Sequence, residues 1–213
     1  MITTDASIHS YPEGDSSIGR MALTAREFGF DSLVAIDGKE DEIFDVRILR
    51  GVVLASERIQ DIIGQIRKER QGNAIILVNA GDYSFNRSLL HVKGLHIIRH
   101  IHKTHKKSFD HIMARMAAER SIAIDIDLHP VIYLRGSPRQ KVLQRYCDLV
   151  RLQSRFEFPM TLSSNAFSIL EQRTARDMEM ICSLFGMEGG QVKEALATIG
   201  KICSPRRPVQ VVE

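Results

Sequence analysis

The chain has 213 residues, 44% hydrophobic and 26% charged, with a net charge of +3, the make-up of one globular domain with a sizeable core, or at most two small ones. Its longest apolar runs, such as GVVLA and AIILV, are too short to span a bilayer, and MITTDASIHS lacks the basic start and apolar stretch of a secretory signal. Three widely spaced cysteines, Cys147, Cys182 and Cys203, form neither a disulfide framework nor a zinc pattern, which fits a reducing cytoplasm and thiols without a chemical role.

In chain order, ITTDASIH reads as a weak first strand. SIGRMALTAREFGF follows as a helix that places Ile18, Met21, Ala22, Ala25 and Phe28 on one face and meets Gly29 at its C-terminal end. SLVAI (32–36) and VRILRGVVL (46–54) are β-branched strands. SERIQDIIGQIRKERQG is a helix with Ser56 as its N-cap and Ile59, Ile62, Ile63 and Ile66 inward. Its last turns are basic, where the helix dipole favours positive charge. Strands AIILVNA (74–80) and LHIIRHI (95–101) come next, then the helix FDHIMARMAAERS and the strand SIAIDIDL (121–128).

The long helix SPRQKVLQRYCDLVRLQSRFEF takes Ser137 as cap and Pro138 as its first helical residue. PMTLSSN (159–165) is the last strand. TARDMEMICSLFGM then buries Met178, Ile181, Cys182 and Phe185, and GGQVKEALATIGKIC is the final helix. SPRRPVQVVE, with two prolines and no periodicity, reads as an extended tail. The division is therefore one domain over 1–203 and a tail over 204–213.

Strand followed by helix, repeated along the chain, implies parallel strands with helical crossovers. A closed barrel and an open doubly wound sheet both satisfy that pattern. In SIAIDIDLH the residues Asp125, Asp127 and His129 alternate with Ile124, Ile126 and Leu128. A strand of an open parallel sheet is apolar on both faces, so the alternation favours an α/β barrel, whose functional residues stand at the C-terminal ends of its strands.

Charge is unevenly spread. Residues 1–50 carry five Lys and Arg against ten Asp and Glu, whereas residues 99–155 carry twelve against five and hold five of the eight His. Such asymmetry points to an acidic partner at one face, with nucleic acid foremost.

Three kinds of site are compatible with these residues. A metal-dependent phosphoesterase would draw ligands from His9, Asp125, Asp127 and His129, with His100 and His102 nearby. Against it, Ser7 stands where a ligand paired with His9 is needed. Arg99, Lys103, Lys106 and Lys107 also surround the other histidines with charge that repels a cation. Nucleophilic and dinucleotide chemistry have no supporting motif, and the glycines of GMEGG more simply end one helix and start another.

The third kind is a phosphate-binding surface. Lys103, Lys106 and Lys107 in HKTHKKS, and Arg135, Arg139, Lys141 and Arg145 in and after LRGSPRQK, lie at two junctions between loop and helix. The ordinary fate of such a charge run is a solvated helix face, or a platform for a protein partner alone. Aromatics are scarce, Tyr133 being the nearest, so the reading favours the backbone and shape of a folded RNA over stacked single-stranded bases.

The C-terminal half, ARMAAERSIAIDIDLHPVI and LQRYCDLVRLQSRFEFPMTLSSNAFSILEQRTARDMEMICSLFGM, resembles the archaeal ribonuclease P protein component 3 family, counterpart of a eukaryotic ribonuclease P subunit. FPMTLSSNA is similar to a family strand ending in Ser-Ser-Asp/Asn-Ala. In QRTARDMEMICSLFGM, Arg173, Arg176 and Asp177 match the family, while Thr174 and Ala175 replace its usual Ser-Pro. DASIHSYPEG and GFDSLVAID are consistent with its opening segments.

The resemblance implies a barrel related to phosphoesterases of the polymerase-and-histidinol-phosphatase type but without their full metal site, in keeping with Ser7. It implies a subunit of the ribonucleoprotein endonuclease that removes the 5′ leader of precursor tRNA, with RNA as catalyst and magnesium held by that RNA. No cofactor or catalytic residue is expected in this chain. The implied partners are the ribonuclease P RNA, precursor tRNA, other ribonuclease P proteins and a small ferredoxin-like subunit in a heterotetramer. The expected RNA contacts are Lys103, Lys106, Lys107, Arg135, Arg139, Lys141, Arg173 and Arg176. The alternative is an autonomous phosphoesterase that uses His9, Asp125, Asp127 and His129 as metal ligands.

Overall fold

The computed structural model describes residues 1–56, 58–69 and 72–204. Eight strands, β1 (Thr4–Ile8), β2 (Ser32–Ile36), β3 (Asp41–Ile43), β4 (Val46–Leu54), β5 (Ile75–Asn79), β6 (Ile97–Arg99), β7 (Ala123–Asp127) and β8 (Met160–Ser163), form one sheet. Seven run parallel in the order β1-β2-β4-β5-β6-β7-β8, and β3 folds back antiparallel on β4. The sheet comes round on itself at a short seam, where Ile8 bridges Ala166 and the His9 N–H donates to the Ala166 carbonyl at 2.8 Å. The alternation in β7 therefore pointed correctly to a barrel.

Period-two patterning explains how the barrel is filled. Leu33, Ala35, Ile48, Val52, Ile76, Val78, Ile98, Ile124, Ile126 and Leu162 face the helices and form the larger core. Val34, Ile36, Leu49, Ile75, Leu77, Ile97 and Ala123 alternate with them and pack with Ala6 in the interior. Fully burying one such side chain is worth about 1.5–3 kcal/mol.

The inward positions change character along each strand. β5 presents Ile75, Leu77 and then Asn79, β6 presents Ile97 and then Arg99, and β7 presents Ala123 followed by Asp125 and Asp127. The lower interior is apolar and the C-terminal end is polar, so the sequence builds a sealed floor under a polar mouth.

The helices are α1 (Ile18–Glu27), α2 (Ile59–Glu69), α3 (Tyr83–Leu89), α4 (His111–Arg120), α5 (His129–Tyr133), α6 (Gly136–Phe156), α7 (Ala175–Ser183) and α8 (Gly189–Cys203). α1 buries Met21, Ala22 and Ala25 as its spacing requires. α8 lies against β8 and β1 and sends Ile199 into the interior cluster. None of the helices among the described residues is long and apolar enough to cross a membrane.

Several local readings change. α2 begins at Ile59, and Ser56 stands ahead of it, accepting from the Arg58 N–H and donating to Asp61, so it is not the N-cap. α6 begins at Gly136, which places Ser137 and Pro138 inside its first turn, where a missing N–H costs nothing. β6 stops at Arg99 because His100 adopts a left-handed backbone (φ 62°) and the chain turns into two short 3-10 segments, Ile101–Lys103 and Lys106–Ser108. His129 opens α5 instead of continuing β7. Beyond Ser204 the expected tail lies outside the described residues.

Candidate functional site

The polar mouth is organised by Asn165, in the loop after β8. Its Oδ1 accepts from Arg99 at 2.9 Å, from His9 Nε2 at 2.9 Å and from Ser7 Oγ at 3.2 Å, and its Nδ2 donates to Asp127 at 3.3 Å. Three segments that are remote in sequence are thus tied to one carboxamide. Arg99 also donates to His100 Nε2 at 3.1 Å. Asp127 accepts the His129 N–H at 2.9 Å, and its carbonyl accepts the Tyr146 hydroxyl at 2.7 Å. His102 Nδ1 lies 2.9 Å from that same hydroxyl, bringing α6 into the network.

Deeper in the barrel, Asp125 accepts from Thr161 at 2.9 Å and Ser163 at 2.8 Å, and Asp5 accepts from the Ser164 N–H, the Ser164 hydroxyl and the Ser7 N–H. Burial pushes Asp5 up to about 7, only partly offset by these donors. Burial likewise pushes Asp125 up to about 6, with the Arg99 charge opposing and the Asp127 charge adding to the rise. Asp127 is also buried, but the histidines around it and the His129 N–H outweigh that cost and hold it below the ordinary carboxylate value. Burial holds His100 below its ordinary value and pushes His102 down to about 4.

The candidate metal ligands are not brought together as ligands. His9 and Asp127 meet through Asn165, Asp125 is occupied lower in the barrel by two hydroxyls, and the His129 ring stacks on Tyr133 at 4.3 Å. Among the described residues no group of three or more His, Cys, Asp or Glu side chains is placed to hold a metal ion. The physical reason is Arg99. Its terminal nitrogen lies within hydrogen-bond reach of Asn165 and His100, so a tethered guanidinium places positive charge in the mouth, where it favours the ionised form of Asp125.

The stretch RHIHKTHKK divides in two. Arg99, His100 and His102 point into the mouth network, whereas Lys103, Lys106 and Lys107 are exposed and His105 accepts from the Lys107 N–H. Lys106 pairs with Asp148 of α6 at 2.9 Å, which joins this turn to the long helix. Arg135, Lys141 and Arg176 are exposed, while Arg139 and Arg173 are half-buried.

Arg145 does not belong to the basic surface. It is 6% exposed, and burial lowers its pKa. Val142 and Leu149, three residues before it and four after, are buried on the same side of α6 and carry Arg145 with them. At the end of α7, Gly186 breaks the helix with φ 81°. Glu188 and Gln191 then form a capping box at the start of α8, which supports the structural reading of GMEGG.

A family model described as RNase P subunit p30 matches residues 2–208. The chain belongs to the RNase P subunit p30 family. Two relatives named Ribonuclease P protein component 3 are similar to it. That of Methanosarcina acetivorans is 26% identical, covering 96% of this chain and 90% of its own length. That of Methanococcoides burtonii is 29% identical, covering 91% and 83%. A chain in a cryo-EM structure of archaeal ribonuclease P with mature tRNA has the same fold, with a TM-score of 0.78 at 16% identity and 98% of each chain covered. A putative histidinol phosphatase from Listeria monocytogenes shares the barrel at a TM-score of 0.51 and 10% identity, covering 79% of this chain and 96% of that one.

Within this p30-family chain the sequence reading singled out Asp125, Asp127 and His9 but not Asn165, Arg99 as a network member, or Tyr146. The usable signal for Asn165 lay in LSSN, a polar run at a strand's C-terminal end. Nothing local indicated that Tyr146 turns inward beyond its helical spacing from Val142, Leu149 and Val150.

Proposed function

We propose that this chain is a protein subunit of ribonuclease P, the ribonucleoprotein endonuclease that removes the 5′ leader of precursor tRNA, and that it works by binding and neutralising the catalytic RNA. The observation that carries this reading is the pairing of a mouth closed by its own guanidinium with an outer surface bearing free cations. Lys103, Lys107, Arg135, Lys141 and Arg176 are exposed, and none of them forms a carboxylate pair among the described residues. A folded RNA crowds phosphates together, and fixed protein cations replace part of the counter-charge that magnesium otherwise supplies. Magnesium, in this account, is held by the RNA.

The protein partner in this reading is the small ferredoxin-like subunit, assembled with this chain as a heterotetramer, with other ribonuclease P proteins beside it. An apolar surface supports a protein contact. Leu170 is 81% exposed and Met180 and Leu184 are each 56% exposed, and together they border a shallow groove with Phe28 and Ile169.

The direct test is equilibrium binding of the purified chain to ribonuclease P RNA across a salt series. The reading predicts log affinity falling linearly with log salt, by about 0.7–0.9 per phosphate neutralised. Affinity independent of salt, or no binding, would contradict it and favour a platform for protein partners alone.

A further inference from the structure

The fold gathers aromatic rings that the sequence scatters. At the rim of the mouth, His9 stacks on Phe167 with centroids 4.1 Å apart and planes within 1°. His129 stacks on Tyr133 at 4.3 Å, and His129 meets Phe167 edge-on at 6.4 Å. One face of each exposed ring is covered by a histidine, yet Tyr133 remains 47% exposed and Phe167 37% exposed. Glu171 fixes the pair, accepting the Tyr133 hydroxyl at 2.9 Å and the Phe167 N–H at 2.7 Å. Both donors engage its carboxylate, which makes it a brace between the rings.

Two arginines flank this platform. Arg135 lies two residues after Tyr133, and one guanidinium nitrogen donates to the Ile132 and Leu134 carbonyls. Arg173 is held in the same way by the Leu170 and Gln172 carbonyls, each at 2.8 Å, and its charge bears on the Tyr133 phenol. In each arginine one nitrogen is spent on the backbone, so the fork is oriented while its other donors stay available for an anion.

We propose that the free face of Tyr133 stacks one unpaired nucleobase of the bound RNA, with Phe167, whose plane is steeply tilted to it, beside that base on the rim and Arg135 and Arg173 placed for the neighbouring phosphates. The proposal rests on the RNA-binding reading above and adds a base contact to a surface otherwise read as backbone-binding. Flat rings already stacked on imidazoles extend naturally to a further flat ring, and an unpaired base is the flat group that carries phosphates at both ends. The aliphatic groove of Leu170, Met180 and Leu184 is distinct in chemistry and suits a protein.

The test uses the full-length chain with ribonuclease P RNA. Tyr133→Leu with Phe167→Leu keeps apolar bulk at two exposed positions and removes stacking. The expected result is RNA binding weakened about tenfold, the range for loss of base stacking, with the salt slope unchanged. Tyr133→Trp should bind at least as well as the native chain. Ultraviolet crosslinking of the complex should place a nucleotide on the peptide containing Tyr133 or Phe167.

Native RNA affinity in the double variant, with no crosslink at either residue, would overturn the proposal while leaving the RNA-binding reading intact. Loss of binding to the ferredoxin-like subunit with unchanged RNA affinity would also overturn it and assign the rim to a protein. Absence of RNA binding by the native chain would instead strike the reading on which the proposal rests.

Discussion

Arg99 at the end of β6 and Asn165 after β8, 66 residues apart in sequence, meet at 2.9 Å and together close the barrel mouth. Arg99 is 3% exposed and Asn165 8%; the guanidinium's polar partners are Asn165 and His100, its Nε has none, and Asn165 also donates to Asp127. Removing one member of a buried hydrogen-bonded network leaves its partners short of a bond, which costs about 1–3 kcal/mol. Arg99→Met should therefore destabilise the chain by about that amount in chemical denaturation, and Asn165→Ala should lose the contacts to His9, Ser7 and Asp127 at once. An Arg99→Met variant within about 1 kcal/mol of the native chain, below the cost of one unsatisfied buried group, would show that the mouth is not held by this ion.

Tyr146 makes a narrower prediction. Its hydroxyl is buried, donates to the Asp127 carbonyl at 2.7 Å and lies 2.9 Å from His102 Nδ1. Tyr146→Phe keeps the ring packing against Phe185 and leaves those two partners unpaired, for a loss of about 1–3 kcal/mol. The His102 imidazole resonance, followed by NMR through a pH titration, should move in the variant and stay fixed if the contact is incidental.

Stability should respond to pH in two opposed ways. Asp5 and Asp125 have folded values raised to about 7 and about 6 from 3.8. Between pH 4 and 7 the folded state keeps protons that the unfolded chain releases, so their contribution is full in acid and is lost as pH rises. His102, lowered to about 4 from 6.5, acts the other way: the unfolded chain gains a proton first as pH falls, and stability drops. Asp5→Asn isolates the first effect, because Ser164 Oγ can accept from the new amide. Its stability relative to the native chain should improve from pH 4 to about pH 7 and level off above that. Parallel pH curves for the two proteins would show that Asp5 carries no raised value.

The barrel was legible because β7 alternates strictly, with Asp125 and Asp127 facing one way and Ile124 and Ile126 the other. The strands of greatest apolar density were legible for the same reason. The short α3, YSFNRSL, was not, since seven residues hold two turns and too little periodicity to stand out. The network around Asn165 stayed hidden because none of its contacts is local: Ser7, Arg99 and Asp127 come from three strands, His9 follows the first of them, and only closure of the ring brings them together. Arg145 was misplaced by reading charge ahead of position, although its spacing from Val142 and Leu149 already put it on the buried face of α6.

The basic turn gives a graded prediction. Lys103 and Lys107 are exposed, whereas Lys106 is paired with Asp148 at 2.9 Å. Lys103→Ala with Lys107→Ala should flatten the salt dependence of RNA binding by up to about 2 in slope, one phosphate per lysine, without changing the fold. Lys106→Ala should do less than either, because its charge is already shared with Asp148. An unchanged slope in the double variant would remove this strip from the RNA contact.

The most direct test of the account is a magnesium titration of precursor-tRNA cleavage by ribonuclease P RNA, with and without this chain and the ferredoxin-like subunit, alongside the chain alone. The account predicts that the proteins shift the RNA's magnesium requirement downward, that Lys103→Ala with Lys107→Ala gives back part of that shift, and that the chain alone leaves the substrate intact. Cleavage by the chain alone, lost on mutating Asp127 or His9, would contradict it and make the barrel the enzyme.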